Sequence, residues 1–98
     1  MSVYVNELFE YGGSDTFKWT ESCHMFTDGD VEELNVFAEK IGLRRSWLQG
    51  PYPHYDLTKS KRRTAVRAGA IEDDGKLLIR LRKEFIAQQR KAKGSRYG

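Results

Sequence analysis

One cysteine, two prolines and no long apolar run limit what this 98-residue chain can be. With Cys23 alone no intrachain disulfide can form, and a cysteine-rich zinc module is excluded. Free cysteines of this kind act as small buried hydrophobes more often than as nucleophiles. No apolar stretch approaches the roughly 20 residues that span a bilayer, and MSVYVNELFEY lacks the basic segment and apolar run of a secretory signal. A cytoplasmic protein without membrane contact is therefore expected. The chain also lacks a glycine-rich phosphate loop, an HExxH pair and a GxSxG elbow, so the common NTPase, zinc-protease and serine-hydrolase readings have no support. Basic residues are scarce early on: residues 1–35 hold Lys18 and no arginine against eight acidic residues.

What is present describes one globular domain. Hydrophobic residues at 39% and charged residues at 32% give enough apolar side chains for a single modest core. Val3, Tyr4 and Val5 predict a strand near 2–9, Tyr11 to Asp15 a turn, and Phe17 to Phe26 a second strand. Asp30 as N-cap, Glu33 three residues on, and Val31, Leu34, Phe37, Ala38 and Ile41 at helical spacing predict a helix over 31–41, stopped by Gly42 and Leu43. Arg44 to Leu48 reads as a short strand, and Gly50-Pro51-Tyr52-Pro53 as a tight loop. A second helix is predicted from Thr58 to Ala68 with Gly69 as its stop, then a short extended piece at Ala70 to Glu72. Asp73 or Asp74 caps a last helix whose inward stripe is Leu77, Leu78, Leu81, Phe85 and Ile86. The fold class is a small α/β or α+β domain with a sheet of three or four strands and about three helices. Residues 1–86 form the globule and 87–98 a basic tail expected to fray.

The segment Trp47 to Arg67, WLQGPYPHYDLTKSKRRTAVR, concentrates the chemistry. Asp56 and Thr58 suit a helix N-cap, and Lys59, Lys61 and Arg62 follow within the first turn. Cations there oppose the helix dipole, a conflict that a bound anion would relieve by satisfying the unpaired N–H groups and the cations together. Tyr55 and Tyr52 are placed to stack on a ring, while Trp47 reads as a packing residue. His24 ends a predicted strand and His54 lies in the proline loop. With Asp56 they supply two nitrogens and a carboxylate, the minimum set for a catalytic metal, though no HxxxH or HxH spacing preorganises them.

The pattern Trp19, Cys23-His24-Met25, Glu33-Leu34, Phe37-Ala38, Ile41-Gly42-Leu43, Trp47-Leu48-Gln49, His54-Tyr55-Asp56-Leu57-Thr58, Lys61-Arg62, Ala65-Val66 and Gly69-Ala70 resembles a small bacterial and phage family catalogued as a domain of unknown function. The resemblance implies a compact single domain of bacterial or viral origin and carries over no activity. Asn6 departs from it, standing where the family favours an acidic residue. The expected function is non-catalytic binding of an anionic, nucleotide-derived small molecule by His24, His54, Tyr55, Asp56, Thr58, Lys59, Lys61 and Arg62, with no cofactor and no metal. Such a protein can serve a phage by sequestering a nucleotide signal of host defence, and a domain this small is expected to self-associate around its ligand. The alternatives are a metal-assisted phosphodiesterase or nuclease using His24, His54 and Asp56, and an interaction module whose basic tail holds nucleic acid or protein.

Overall fold

The computed structural model describes residues 2–10 and 21–97, with side chains described at 2–8 and 21–90. The turn at Tyr11 to Asp15, Trp19 and the first part of the predicted second strand lie outside these residues. The fold is α+β: β1 (Val3–Val5), β2 (Phe9–Glu10), β3 (Glu21–Thr27), α1 (Val31–Lys40), a 3₁₀ turn (Arg45–Trp47), β4 (Tyr55–Leu57), α2 (Lys59–Arg67), β5 (Ile71–Glu72) and α3 (Lys76–Tyr97). The strands form one mixed sheet. β1, β2 and β4 pair antiparallel with β3, and β5 lies parallel to β1.

Period-two alternation sorts β3 into two faces. Cys23 and Met25, with Val3, Val5, Tyr55 and Leu57, join Leu34, Ala38, Ile41 and Ala65 of α1 and α2 in the main core. The opposite face carries Tyr4, His24, Phe26 and Asp56, and α3 packs over it. Phe26 is fully buried and Tyr4 stacks on it at 5.7 Å. Phe85 meets Tyr52 edge to face at 5.6 Å. The result is a sheet between two helical layers. Among the described residues no helix is long and apolar enough to cross a membrane.

Helix ends follow from local chemistry. Asp30 caps α1 by accepting from the Glu32 N–H, and Thr58 caps α2 by accepting from the Lys61 N–H. Both helices stop in the same way, with glycine at positive φ (Gly42 at 90°, Gly69 at 114°). The following residue bonds back five positions, Leu43 N–H to Ala38 C=O at 2.8 Å and Ala70 N–H to Ala65 C=O at 3.0 Å. The carboxylate of Asp73 accepts from the Gly75 N–H and that of Asp74 from the Lys76 N–H at the start of α3.

Four expectations need correction. Arg44 to Leu48 is not a strand: Arg45–Trp47 forms a 3₁₀ turn, and Arg45 pairs back to Glu32 and Glu39 of α1. Trp47 is half exposed, with the Arg44 guanidinium 5.8 Å from its ring centre, so it is not a core residue. Val31 and Ile86 face outward, 38% and 51% exposed, although both fit the apolar period. The first strand is split in two. Three residues, 6–8, separate Val5 from Phe9, whereas two, Cys23 and His24, separate their partners Met25 and Ser22.

Asn6 makes this bulge possible. Its N–H donates to the His24 carbonyl at 3.1 Å, and its side-chain Oδ1, standing in for a ladder carbonyl, accepts from the His24 N–H at 2.7 Å. The displaced Asn6 carbonyl accepts from Arg62 Nε at 2.9 Å. Asn6→Ala leaves the His24 N–H without its acceptor and is expected to cost about 1–3 kcal/mol, lowering the melting temperature by several degrees. Asn6→Asp, which keeps the acceptor beside Arg62, should lose less; equal melting curves for the two variants would refute this role.

Candidate functional site

Two neighbouring strands and one loop assemble the site. Antiparallel pairing sets His24 directly opposite Asp56. The loop Gly50 to Pro53, with a cis Gly50–Pro51 bond, folds back so that Gln49 and His54 exchange two backbone hydrogen bonds of 2.8 and 3.1 Å. The face opposite the main core therefore collects His24, Gln49, His54 and Asp56.

The Asp56 carboxylate organises this group. Its Oδ1 lies 2.9 Å from His24 Nδ1 and 3.7 Å from His54 Nε2, and its Oδ2 accepts from Gln49 Nε2 at 2.7 Å. The two imidazole rings meet edge to face with centres 4.7 Å apart. His54 Nδ1 lies 2.7 Å from the Tyr52 carbonyl, which can only accept, so Nδ1 carries the proton and the Nε2 lone pair faces Asp56 in the neutral ring. One ligand atom from each of His24, His54 and Asp56 lies within 4.8 Å of the other two. Side-chain exposures of 19%, 20% and 35% leave the cluster partly sheltered yet open to a ligand.

His24 has its pKa held below the ordinary histidine value, chiefly by burial, which together with weaker repulsion from His54 and Arg82 outweighs the pull of Asp56. Cys23, one residue earlier, points into the main core. Burial pushes its thiol up to about 11, so it stays protonated and is no nucleophile.

The structure brings together His24, His54 and Asp56 and sends the other predicted site residues elsewhere. Tyr55 is buried in the main core, its hydroxyl donating to Asn35 at 2.7 Å. Thr58 caps α2. Lys61 Nζ donates to the Ile41 carbonyl at 2.8 Å, at the end of α1. Arg62 holds the Asn6 carbonyl and pairs with Glu72 at 3.0 Å. Lys61 thus finds its negative partner in the C-terminal end of α1, whose dipole favours it, and Arg62 finds its partners in the Asn6 carbonyl and Glu72. Lys59 is exposed in that turn. Two members of the site escaped sequence reasoning. Gln49 is visible only once the proline loop is read as a hairpin that returns residue 49 to residue 54, and Arg82 only once α3 is laid over the histidine face.

A family model described as protein of unknown function (DUF4031) matches residues 5–84, a span containing every residue of the cluster, and the chain belongs to that family. No curated protein and no solved structure is significantly similar to it.

The lowered pKa of His24 fixes the sign of a pH dependence. Between its folded value and the unfolded 6.5 the folded chain binds fewer protons than the unfolded one, so this contribution is complete above about 6.5 and is lost as the pH falls through that window. Titration of the His24 ring followed by NMR should give a midpoint below 6.5, and replacing His24 by Gln should flatten the fall in urea midpoint on acidification. A His24 midpoint above 6.5 would contradict the assignment.

Proposed function

We propose that this chain binds a divalent transition metal ion through His24, His54 and Asp56 and uses it to hydrolyse a phosphate ester. The observation that carries the reading is the convergence of two imidazoles on one carboxylate, with the outward nitrogen of His54 anchored to the Tyr52 carbonyl. Metal-binding histidines are held this way, since an acceptor on the far nitrogen fixes the tautomer and turns the lone pair inward. Gln49 does the same for the second oxygen of Asp56. Two imidazoles and one carboxylate suit zinc or a similar borderline ion, leaving a fourth position for water.

The chemistry follows from that position. An ion held by His24, His54 and Asp56 would lower the pKa of a water toward neutrality and so supply the hydroxide for attack on phosphorus, with the ester P–O bond breaking and the leaving alkoxide taking up a proton. Arg82, whose charge acts on His24, is aptly signed to balance charge on the phosphoryl oxygens. A sequestering pocket at the start of α2 is supported less well, because Lys61 and Arg62 are already engaged with Ile41, Asn6 and Glu72.

Titrating the purified chain with Co²⁺ should produce the visible absorption of a four- or five-coordinate site at one equivalent, lost in His54→Ala and Asp56→Ala and retained in Lys59→Ala. Gln49→Ala should weaken Zn²⁺ affinity about 10–100-fold, as loss of an orienting partner does, measured by competition with a chromogenic chelator. Zn²⁺-loaded protein should hydrolyse bis(p-nitrophenyl) phosphate with turnover beyond one equivalent. Metal binding without turnover would refute the hydrolytic part, and no one-to-one binding would refute the whole.

A further inference from the structure

We infer that the substrate is a single strand of nucleic acid, laid along one flank of α3 so that a phosphodiester reaches the His24, His54 and Asp56 cluster; this rests on the hydrolytic reading above. α3 carries eight Lys and Arg residues against Glu84 alone, in a chain whose first 35 residues are acidic. Helical geometry sorts those charges. Leu78 and Phe85 turn toward the sheet. At 100° per residue Arg82 borders them on one side, followed round the same flank by Ile79, Lys83, Ile86 and Arg90. Glu84 and Gln88 border the opposite side, where they line a cavity of about 340 Å³ with Thr27 and Asp28.

The proline loop is straddled in the same sense. Tyr52 and Pro53 lie on the acidic flank, whereas Pro51 joins Phe85, Ile86, Gln89 and Arg90 in an open groove of about 590 Å³. Lys83 and Arg90 meet again in the adjoining groove across Ile86. Gln49, two residues before Pro51, reaches into the cluster through Asp56. The stretch from Pro51 back to Gln49 therefore links the basic groove to the proposed hydrolytic centre.

Cations alternating with apolar side chains offer phosphate partners and packing for bases at once. Arg82, Lys83 and Arg90 extend over about 12 Å of helix, so that successive phosphates of one strand can each meet a cation. A single strand can also bend into a cluster whose side chains are only 19–35% exposed, which a stiff duplex cannot do readily. A free mononucleotide would use one of these cations and leave the rest of the flank without purpose.

The test uses the full chain with EDTA and no metal, so that binding is read apart from turnover. A fluorescein-labelled 20-nucleotide single strand is titrated with protein at several salt concentrations and followed by anisotropy. Three phosphate contacts predict that log K falls with log salt with a slope of about −2 or steeper. Lys83→Glu combined with Arg90→Glu, both exposed and expected to leave the far-UV circular dichroism unchanged, should weaken binding at least tenfold. The oligonucleotide should also slow modification of His24 and His54 by diethyl pyrocarbonate. Salt-independent binding, equal affinity of the double variant, histidines as reactive with the strand as without it, or equally good competition by polyglutamate would each overturn the inference. Failure here leaves hydrolysis of the small ester standing, and failure of that hydrolysis leaves strand binding standing.

Discussion

β4 meets β3 with Cys23 opposite Leu57, His24 opposite Asp56 and Met25 opposite Tyr55, and this register is the constraint from which the rest of the molecule follows. A slip by one residue would turn Tyr55 and Leu57 out of the main core and Asp56 into it. Each large apolar side chain expelled costs about 1.5–3 kcal/mol, and an unpaired carboxylate in a core costs more. The hydrophobic face thus fixes the polar one. The pairing of His24 with Asp56 needs no attraction of its own to be selected, because it is carried by the burial of its neighbours on the other side of the sheet.

A second consequence concerns how the positive charges are divided. Those of α2 serve the fold: Lys61 closes the end of α1, and Arg62 ties the bulge at Asn6 to Glu72. Gly42 is part of the same device, since a Cβ there would meet Lys61 Nζ at 3.2 Å, and its φ of 90° already favours glycine. Those of α3 have few such partners among the described residues; Lys76 pairs with Asp74 at 3.8 Å and Arg80 with Glu84 at 3.9 Å, all four highly exposed, and surface pairs of this kind contribute little. Two basic segments with similar composition therefore have different physical reasons for existing, one structural and one open to an anion.

That division explains what the sequence made legible. Helices α1 and α2, both glycine stops and the short extended piece after Gly69 were readable because each is set by local chemistry, a cap at one end and a left-handed residue at the other. His24, His54 and Asp56 were readable as residue types suited to a site. Their contact was not, since it depends on a strand register and on a proline loop that returns residue 54 to residue 49. The basic start of α2 looked like the stronger site because its conflict with the helix dipole called for a negative partner. The partners proved to be the end of α1 for Lys61 and Asn6 with Glu72 for Arg62, contacts that no local pattern reveals. Periodicity misled at Val31 and Ile86, where the apolar stripe runs past the edge of what the sheet covers.

The same arrangement decides which ligand is fixed and which can move. His24 is held on the central strand, its N–H and C=O both engaged by Asn6, so its backbone has little freedom. Asp56 and His54 belong to an edge strand of three residues and the loop before it. Bonds of about 2.0–2.1 Å at a tetrahedral ion place ligand atoms about 3.3 Å apart. The Asp56 oxygen is already 2.9 Å from His24 and 3.7 Å from His54, and the three ligand atoms lie within 4.8 Å of one another, so the proposed ion would draw the His54 imidazole inward. Its Nδ1 bond to the Tyr52 carbonyl holds the ring with Nε2 on the side of Asp56. Tyr52 itself is clasped by Phe85 of α3 and by the Thr27 carbonyl, to which its hydroxyl donates at 3.2 Å. α3 is thus connected through Phe85 and Tyr52 to His54, so that the helix proposed to hold the substrate also helps to fix the imidazole proposed as a ligand.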